Sequence, residues 1–236
     1  MVQELGSQDR ARLAENLERL RARIARAAEA AGRDPAEVGL VTVTKYAGPA
    51  YARALLELGQ RDLGENRVAH LLSLAEAIPA ELEPRWHFIG HLQRNKANKV
   101  ASLLHALHSL DSLALAEKLS ERRDPSLPPL LVYLELRLSD EPGRSGGDEA
   151  ELGELLAGAR ALTGLDVVGL MGLPPQGAPE DARPHFRRVR AAAERLGLEA
   201  RSMGMTADLE VAIAEGATVV RVGRALLEGL SDEARS

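Results

Sequence analysis

A lysine and an arginine in this sequence stand where segments with strand character end. Lys45 follows the largely β-branched and apolar segment 38–44, and Arg221 lies among the valines of segment 219–222. A lysine held in an apolar environment has its ammonium form disfavoured, and its free amine can attack an aldehyde to form an imine. A lysine at a strand end can also simply extend into solvent. Imine chemistry on an inward-facing Lys45 is the hypothesis that we develop.

Two turns near the end of the sequence are suited to binding a phosphate group. The first is Ser202-Met203-Gly204-Met205-Thr206, and the second is Val222-Gly223-Arg224. Small residues in such turns expose backbone N–H groups beside helix N-termini, which favours an anion. Thr206 is the predicted N-cap of the helix after the first turn. The glycines could instead only permit tight turns.

Arg221 and His87 each have two interpretations. A charged side chain among β-branched residues needs a partner, so Arg221 either pairs with a carboxylate at the rim or donates a hydrogen bond to a ring nitrogen of a bound ligand. His87 either stacks on a flat ligand or is a buried histidine bonded to the backbone. His87 and His91 have a spacing found in metal sites, but they span a strand and a turn, so we predict no metal.

An alternation of strands and helices must position these residues. A helix is predicted over 9–31 from the spacing of its leucines, and Gly32 ends it. The predicted strands are 38–45, 62–65, 86–89, 107–110, 130–136, 167–171, 200–203 and 218–222. The predicted helices that follow them are 49–58, 68–77, 93–102, 112–121, 148–162, 182–196 and 207–215, with a last short helix from Arg224.

Eight strand-helix units after one N-terminal helix predict an α/β fold, a single (β/α)8 TIM-type barrel. Strands that are apolar on both faces and separated by helices are typical of a parallel sheet covered by helices. The length of 236 residues suits one barrel domain over 1–236. A doubly wound open sheet is the alternative fold. In a barrel the strand ends converge, so Lys45 and both turns would meet at one mouth.

Composition narrows the classes of partner and compartment. The net charge of −5 gives no general attraction to nucleic acid or to an anionic membrane. The chain has no cysteine, and no apolar run is long enough to span a bilayer, so we expect a cytoplasmic protein. With only six aromatic residues of the Phe, Trp and Tyr types, no obvious adhesive patch is predicted, and we expect a monomer.

Taken together, the motifs resemble the pyridoxal phosphate homeostasis protein family, whose barrel is similar to the N-terminal domain of alanine racemase. The resemblance runs almost from end to end, and the combination of the WHFIG-x-LQ-x-NK and SMGM runs is its most specific part. The matching segments are 41–45, 64–68, 86–96, 183–188, 202–205 and 220–223.

The resemblance implies that the chain binds pyridoxal 5′-phosphate (PLP). By the same resemblance, Lys45 is the Schiff-base lysine, Asn66 and His87 line the ring, and Arg221 faces the pyridine nitrogen. The phosphate would be held by Ser202 and by the amides of Gly204, Gly223 and Arg224, and Met203 belongs to the same cofactor-binding run.

The chain departs from the family pattern at three places. Arg224 stands where the family often has Thr or Ser, so a hydroxyl contact to phosphate is missing. Arg144-Ser145-Gly146 replaces the family's Lys-Ser-Gly motif, and segment 134–137 lacks the asparagine common in that strand.

The expected function is that of a carrier. An arginine facing the pyridine nitrogen disfavours its protonation and weakens the electron sink on which PLP enzymes depend, which argues against transamination more than against racemisation. Only about a dozen residues follow the last predicted strand, too few for the second domain and the acid-base tyrosine of the racemases. We therefore expect a non-catalytic protein that buffers PLP and releases it to apo-enzymes. A small racemase or lyase is the alternative, and a PLP-free, imine-forming aldolase is a third possibility.

Overall fold

A closed barrel of eight parallel strands, in the order of the sequence, forms the centre of the computed structural model, which describes residues 4–45, 47–139 and 145–232. Strand β8 pairs with β1 from Gly39–Val219 to Thr42–Val222, which closes the barrel. The predicted barrel is confirmed, and the open-sheet alternative is wrong. The strands are β1 Gly39–Val43, β2 Asp62–Glu65, β3 Arg85–Phe88, β4 Ala106–Leu110, β5 Leu130–Leu136, β6 Leu165–Gly172, β7 Ala200–Ser202 and β8 Val219–Val222.

The helices cover the outside of the barrel. They are α1 Ser7–Ala30, α2 Pro49–Glu57, α3 Val68–Ala77, α4 Ala97–Val100, α5 Leu113–Arg122, α6 Glu149–Arg160, α7 Arg183–Leu196 and α8 Leu209–Ala214. The helix predicted over 93–102 is instead a 3-10 turn, Arg94–Lys96, followed by the short α4, where Asn95 and Asn98 lower the helix propensity. In the described part of the chain, no helix is long and apolar enough to cross a membrane.

The N-terminal helix α1 covers the place where the eighth strand lacks a full helix. Between β8 and residue 232, the described chain forms a 3-10 turn, Arg224–Leu227, and no α-helix, and α1 packs against this turn and against α8. Asn16, buried on α1, donates its side-chain amide to the carbonyl oxygens of Leu226 at 3.0 Å and Glu228 at 2.8 Å. These bonds satisfy carbonyls that a continuing helix would have satisfied.

The barrel interior differs from the main core. The large apolar cluster lies between the helices and the outer face of the strands, whereas the interior holds a small apolar group of Ala106, Tyr133 and Met171. Buried polar side chains share this interior, among them His108 and Arg221. Buried polar groups are costly unless they are hydrogen-bonded, so the interior is where a functional network is expected.

Candidate functional site

A cavity of about 490 Å³ opens at the carboxyl ends of the strands, a volume typical of sites for small molecules. Active sites of parallel barrels lie at this end because the loops that follow the strands converge there. Five of the predicted site residues line the cavity, namely Lys45, Asn66, Arg221, Gly223 and Arg224.

The loops after β1 and β2 bring Lys45 and Asn66 into the wall of the cavity. Gly90, after β3, permits the close packing of this wall, since a Cβ at Gly90 would lie 2.6 Å from the Asn66 carbonyl oxygen. The Asn66 side-chain oxygen is buried and has no hydrogen-bond partner in the described structure. An unsatisfied buried acceptor costs about 1–3 kcal/mol, so this oxygen is suited to accept a hydrogen bond from a ligand.

Arg221 lines the cavity on the side of the barrel interior and is almost fully buried. Its Nη1 donates to the Ser202 hydroxyl at 2.6 Å and its Nη2 to the Gly172 carbonyl at 3.3 Å. Both of these hydrogen bonds go to neutral groups inside the barrel and not to a carboxylate at the rim. Burial lowers the pKa of Arg221 to about 10, so the guanidinium is still charged at neutral pH.

A hydrogen-bonded chain continues from Arg221 through the barrel interior. The Ser202 hydroxyl lies 2.7 Å from His108 Nδ1, His108 Nε2 lies 2.9 Å from His87 Nδ1, and His87 Nε2 lies 2.9 Å from Asp62 Oδ1. One proton assignment satisfies these contacts with both imidazoles neutral. Ser202 donates to His108, His108 donates through Nε2 to His87, and His87 donates through Nε2 to the Asp62 carboxylate. The chain therefore runs from the cavity to the opposite end of the barrel.

His87 and Ser202 lie beneath the cavity and are not among the residues that line it. Both ring nitrogens of His87 and the hydroxyl of Ser202 are engaged in the chain. Their expected contacts to a ring and a phosphate stay predictions. Sequence reasoning missed His108, which Tyr133 stacks on at a ring-centroid distance of 4.4 Å. The alternation of β4 was the available signal, because His108 shares the interior strand face with Ala106, whereas Leu107 packs in the outer core.

The buried His108 is expected to make stability depend on pH. Burial, with His87 and Arg221 nearby, holds the pKa of His108 well below its ordinary value. Below about pH 6.5 the unfolded chain binds a proton at this residue that the folded protein does not. The free energy of unfolding should therefore fall between pH 7 and pH 5, by up to about 1.4 kcal/mol per pH unit from this group.

Urea unfolding at pH 5, 6 and 7 checks this expectation. The His108→Gln protein should lose part of the slope, although it starts from a lower stability at pH 7. His91→Gln is the matched control, since the His91 side chain is 55% exposed at the rim, beside Asp111. An unchanged slope in His108→Gln would contradict the assignment of a neutral, buried imidazole.

The turn after β7 lines the cavity with residues other than those predicted. Asp208, not Thr206, is the N-cap residue of α8, and its Oδ1 accepts a hydrogen bond from the Met205 amide at 2.6 Å. This bond turns the segment so that Met205 and Thr206 line the cavity, whereas Met203 and Gly204 are buried behind it. The Thr206 hydroxyl is thereby available for an anion, a role that sequence reasoning did not assign.

Gly204 is required for this turn. Its φ is +92°, in the left-handed region, and a Cβ there would lie 2.5 Å from the Cβ of Ala212. Gly204→Ala should destabilise the protein by at least about 1–3 kcal/mol. Gly153→Ala, in the middle of α6 with open space around its Cβ, should instead stabilise by about 0.5–1 kcal/mol. Thermal and urea unfolding of both proteins test this pair, and equal effects would refute the strain argument.

Glu135 is a second functional candidate that sequence reasoning missed. It points from β5 into the cavity, where the Ser145 hydroxyl donates to its Oε2 at 2.9 Å. Burial raises the pKa of this carboxyl, and the bond from Ser145 opposes the shift. In the sequence, Glu135 belongs to segment 134–137, which we noted only because it lacks the family's asparagine. Arg144, predicted in the same loop, lies outside the described residues.

Comparisons with known proteins identify relatives of this chain. A family model described as alanine racemase, N-terminal domain, matches residues 9–230. The pyridoxal phosphate homeostasis protein of Pseudomonas aeruginosa is 44% identical over 218 residues, 91% of this chain and 94% of that protein. The protein of the same name from Escherichia coli is 37% identical over 229 residues, 91% of this chain and 95% of that protein.

Solved structures are similar over nearly the whole barrel. PipY of Synechococcus elongatus, solved with PLP bound, superposes with a TM-score of 0.77 at 32% identity, covering 91% of this chain and 99% of PipY. An unknown protein from Bifidobacterium adolescentis superposes with a TM-score of 0.86 at 31% identity, covering 95% and 98%. On this coverage and identity, the chain belongs to the pyridoxal phosphate homeostasis protein family, whose barrel is the alanine racemase N-terminal domain.

Proposed function

We propose that this protein binds PLP as a Schiff base on Lys45 and carries it within the cell without ordinary PLP-enzyme catalysis. The observation that carries the proposal is that Lys45 and the buried, charged Arg221 line the same cavity. The family relatives named for PLP homeostasis and the PLP-bound PipY support the choice of ligand.

The residues present fit this group. PLP supplies an aldehyde that a lysine amine can capture reversibly. Asn66 offers an amide whose oxygen lacks a partner. Gly223, Arg224 and Thr206 line the same cavity, and two backbone amides with a hydroxyl are suited to a phosphate of about two negative charges. The cationic side chains of Lys45, Arg221 and Arg224 line the cavity and attract that negative charge.

Arg221 argues against a PLP enzyme of the transaminase type, and less strongly against a racemase. PLP enzymes use the ring as an electron sink, which works best when an acid keeps the ring nitrogen protonated. Arg221 is instead a donor that stays charged at neutral pH and disfavours that protonation. Moreover, neither of the described tyrosines, Tyr51 and Tyr133, lines the cavity, so neither is placed as an acid-base group opposite Lys45.

Mapping the loaded lysine tests the proposal. The protein is incubated with PLP, its absorption is recorded between about 330 and 430 nm, and it is reduced with borohydride and digested. We expect one pyridoxyl group on the peptide that contains Lys45. The absence of any absorption band or adduct would overturn the proposal and favour the PLP-free, imine-forming aldolase. An adduct mapped mainly to Lys96, Lys99 or Lys118 would overturn the assignment of Lys45.

Two assays on the PLP-loaded protein test whether it acts as a carrier or as an enzyme. Added to an apo PLP enzyme, it should restore that enzyme's activity at a rate that the release of PLP limits. Assayed with a panel of amino acids, it should show no turnover above the rate of free PLP. Robust racemisation that depends on Lys45 would establish the alternative, a small racemase-like enzyme. We further propose that it acts as a monomer, which its six aromatic residues favour, and in the cytoplasm, which its cysteine-free composition favours.

A further inference from the structure

The end of the barrel opposite the cavity holds a second cluster of potential ligands. Asp62 is the first residue of β2, His105 directly precedes β4, and His87 comes from β3 between them. One ligand atom from each of the three residues lies within 4.8 Å of the other two. Asp62 and His105 are partly exposed, so an ion can reach the cluster from solvent.

Hydrogen bonding within the described structure explains the positions of Asp62 and His87 but not that of His105. Asp62 and His87 bond each other. The His105 ring makes an edge contact with His87, with ring centroids 5.4 Å apart. A neutral imidazole carries one ring lone pair that can bind a metal. An imidazole next to another imidazole and a carboxylate points to a metal ligand rather than to a structural hydrogen bond.

We propose that Asp62, His87 and His105 bind a divalent first-row transition metal, with Zn²⁺ as the best match. Two imidazoles and one carboxylate are ligands that Zn²⁺ prefers, whereas Ca²⁺ and Mg²⁺ prefer oxygen alone. Bonds of about 2.0–2.2 Å place tetrahedral ligand atoms about 3.4 Å apart. Asp62 Oδ1 and His87 Nε2 lie 2.9 Å apart, so they would separate by about 0.5 Å. The ligand atom of His105 lies within 4.8 Å of both, and its approach would complete three ligands and leave a fourth position for water.

Hydrogen bonds with neighbouring residues orient two of the three proposed ligands. His87 has its other nitrogen fixed by His108, and Asp62 Oδ2 accepts a hydrogen bond from Arg85 at 2.5 Å. Such outer bonds orient ligands in metal sites. The charge of Arg85 opposes a cation, but its side chain is 51% exposed and is screened by water. Asp62 thus has one carboxylate oxygen bonded to His87 and the other to Arg85.

Occupation of this site would reverse the hydrogen-bonded chain above it. A metal on His87 Nε2 takes the lone pair there, so the single proton of the ring moves to Nδ1. His87 then donates to His108 Nε2, and His108 carries its proton on Nδ1 and donates to the Ser202 hydroxyl. Each imidazole keeps one proton, so no net proton is gained or lost. Ser202 then receives bonds from both His108 and Arg221, and its own proton must turn to another acceptor.

Zinc titration tests the site independently of the proposed function. Zn²⁺ is added to the PLP-free and PLP-loaded protein in competition with a chromophoric zinc indicator. We expect one equivalent to bind, and both Asp62→Asn and His105→Gln to weaken binding by at least about 10-fold. His91→Gln, the control at the cavity rim, should bind like wild type. Unfolding curves confirm that each variant is folded, and Asp62→Asn keeps the shape of the side chain.

Nitrogen NMR tests the coupling. Zn²⁺ should move the ring proton of His87 to Nδ1 and change the tautomer of His108, which is not itself a ligand. Absence of stoichiometric binding, or binding unchanged in both Asp62→Asn and His105→Gln, would overturn the site. Binding that leaves the tautomer of His108 unchanged would overturn the coupling. A zinc effect confined to the PLP-loaded protein would show that the metal binds at the cofactor instead.

Discussion

Lys45→Ala protein is expected to bind PLP at least about 100-fold more weakly than wild type, a difference of about 2.7 kcal/mol, and to lose the cofactor on gel filtration. The reason is that alanine cannot form the covalent bond, and only contacts from the rest of the cavity remain. Absorbance and intact mass measure the retained cofactor. Lys118→Ala is the matched control, because Lys118 lies on the outer helix α5 and pairs with Glu121 at 2.7 Å.

Two outcomes of this comparison are decisive. Normal retention in Lys118→Ala with loss in Lys45→Ala supports a single anchoring lysine. Equal retention in both variants would mean that PLP is held elsewhere or without a covalent bond, and the proposed role of Lys45 would be wrong. A thermal unfolding curve of the Lys45→Ala protein should resemble that of wild type, since Lys45 is only partly buried at the end of a strand.

Arg221→Met is expected to weaken PLP binding by about 10- to 100-fold and also to lower stability. Hydrogen bonds to charged groups contribute about 1.5–3 kcal/mol, and the substitution removes the charged donor below the cavity. It also leaves the Ser202 hydroxyl and the Gly172 carbonyl without their partner. PLP affinity is measured from absorbance titrations, and stability from urea unfolding.

The pH dependence of the loaded protein's spectrum distinguishes a direct role of Arg221 from a structural one. A guanidinium beside the ring nitrogen disfavours its protonation, so Arg221→Met should raise the pKa of that nitrogen. Arg224→Met is the control, because Arg224 is exposed and its backbone amide is preserved. Its affinity should change by less than about threefold, as for an exposed charge. A spectrum unchanged in Arg221→Met would limit Arg221 to a structural role.

The polar chain from Arg221 to Asp62 gives the barrel interior a second role besides packing. A buried network with satisfied partners fixes the rotamers of its members, and here it holds the side chain that would face the ring nitrogen. The same chain ends at the proposed metal site. Changes at the closed end of the barrel are therefore expected to reach the cavity through side-chain contacts rather than through movement of the backbone.

The sequence by itself determined the element order, the barrel and the residues at the strand ends. These features depend on periodicities of a few residues, on caps such as Asp34, which accepts a bond from the Ala36 amide, and on glycines at helix ends. Because strand ends converge in any parallel barrel, the presence of Lys45 and Arg221 in one cavity followed from the order of elements.

Only the tertiary structure decided which side chains meet. His108 and Ser202 are 94 residues apart, and their contact depends on the closure and register of the barrel, which no local pattern encodes. The same holds for the unpartnered oxygen of Asn66 and for Glu135. Asp208 rather than Thr206 is the N-cap, because α8 begins only at Leu209, after a turn in which Asp208 accepts a hydrogen bond from the Met205 amide. Local propensity determines elements, whereas hydrogen-bond partners inside a barrel are selected by its three-dimensional closure.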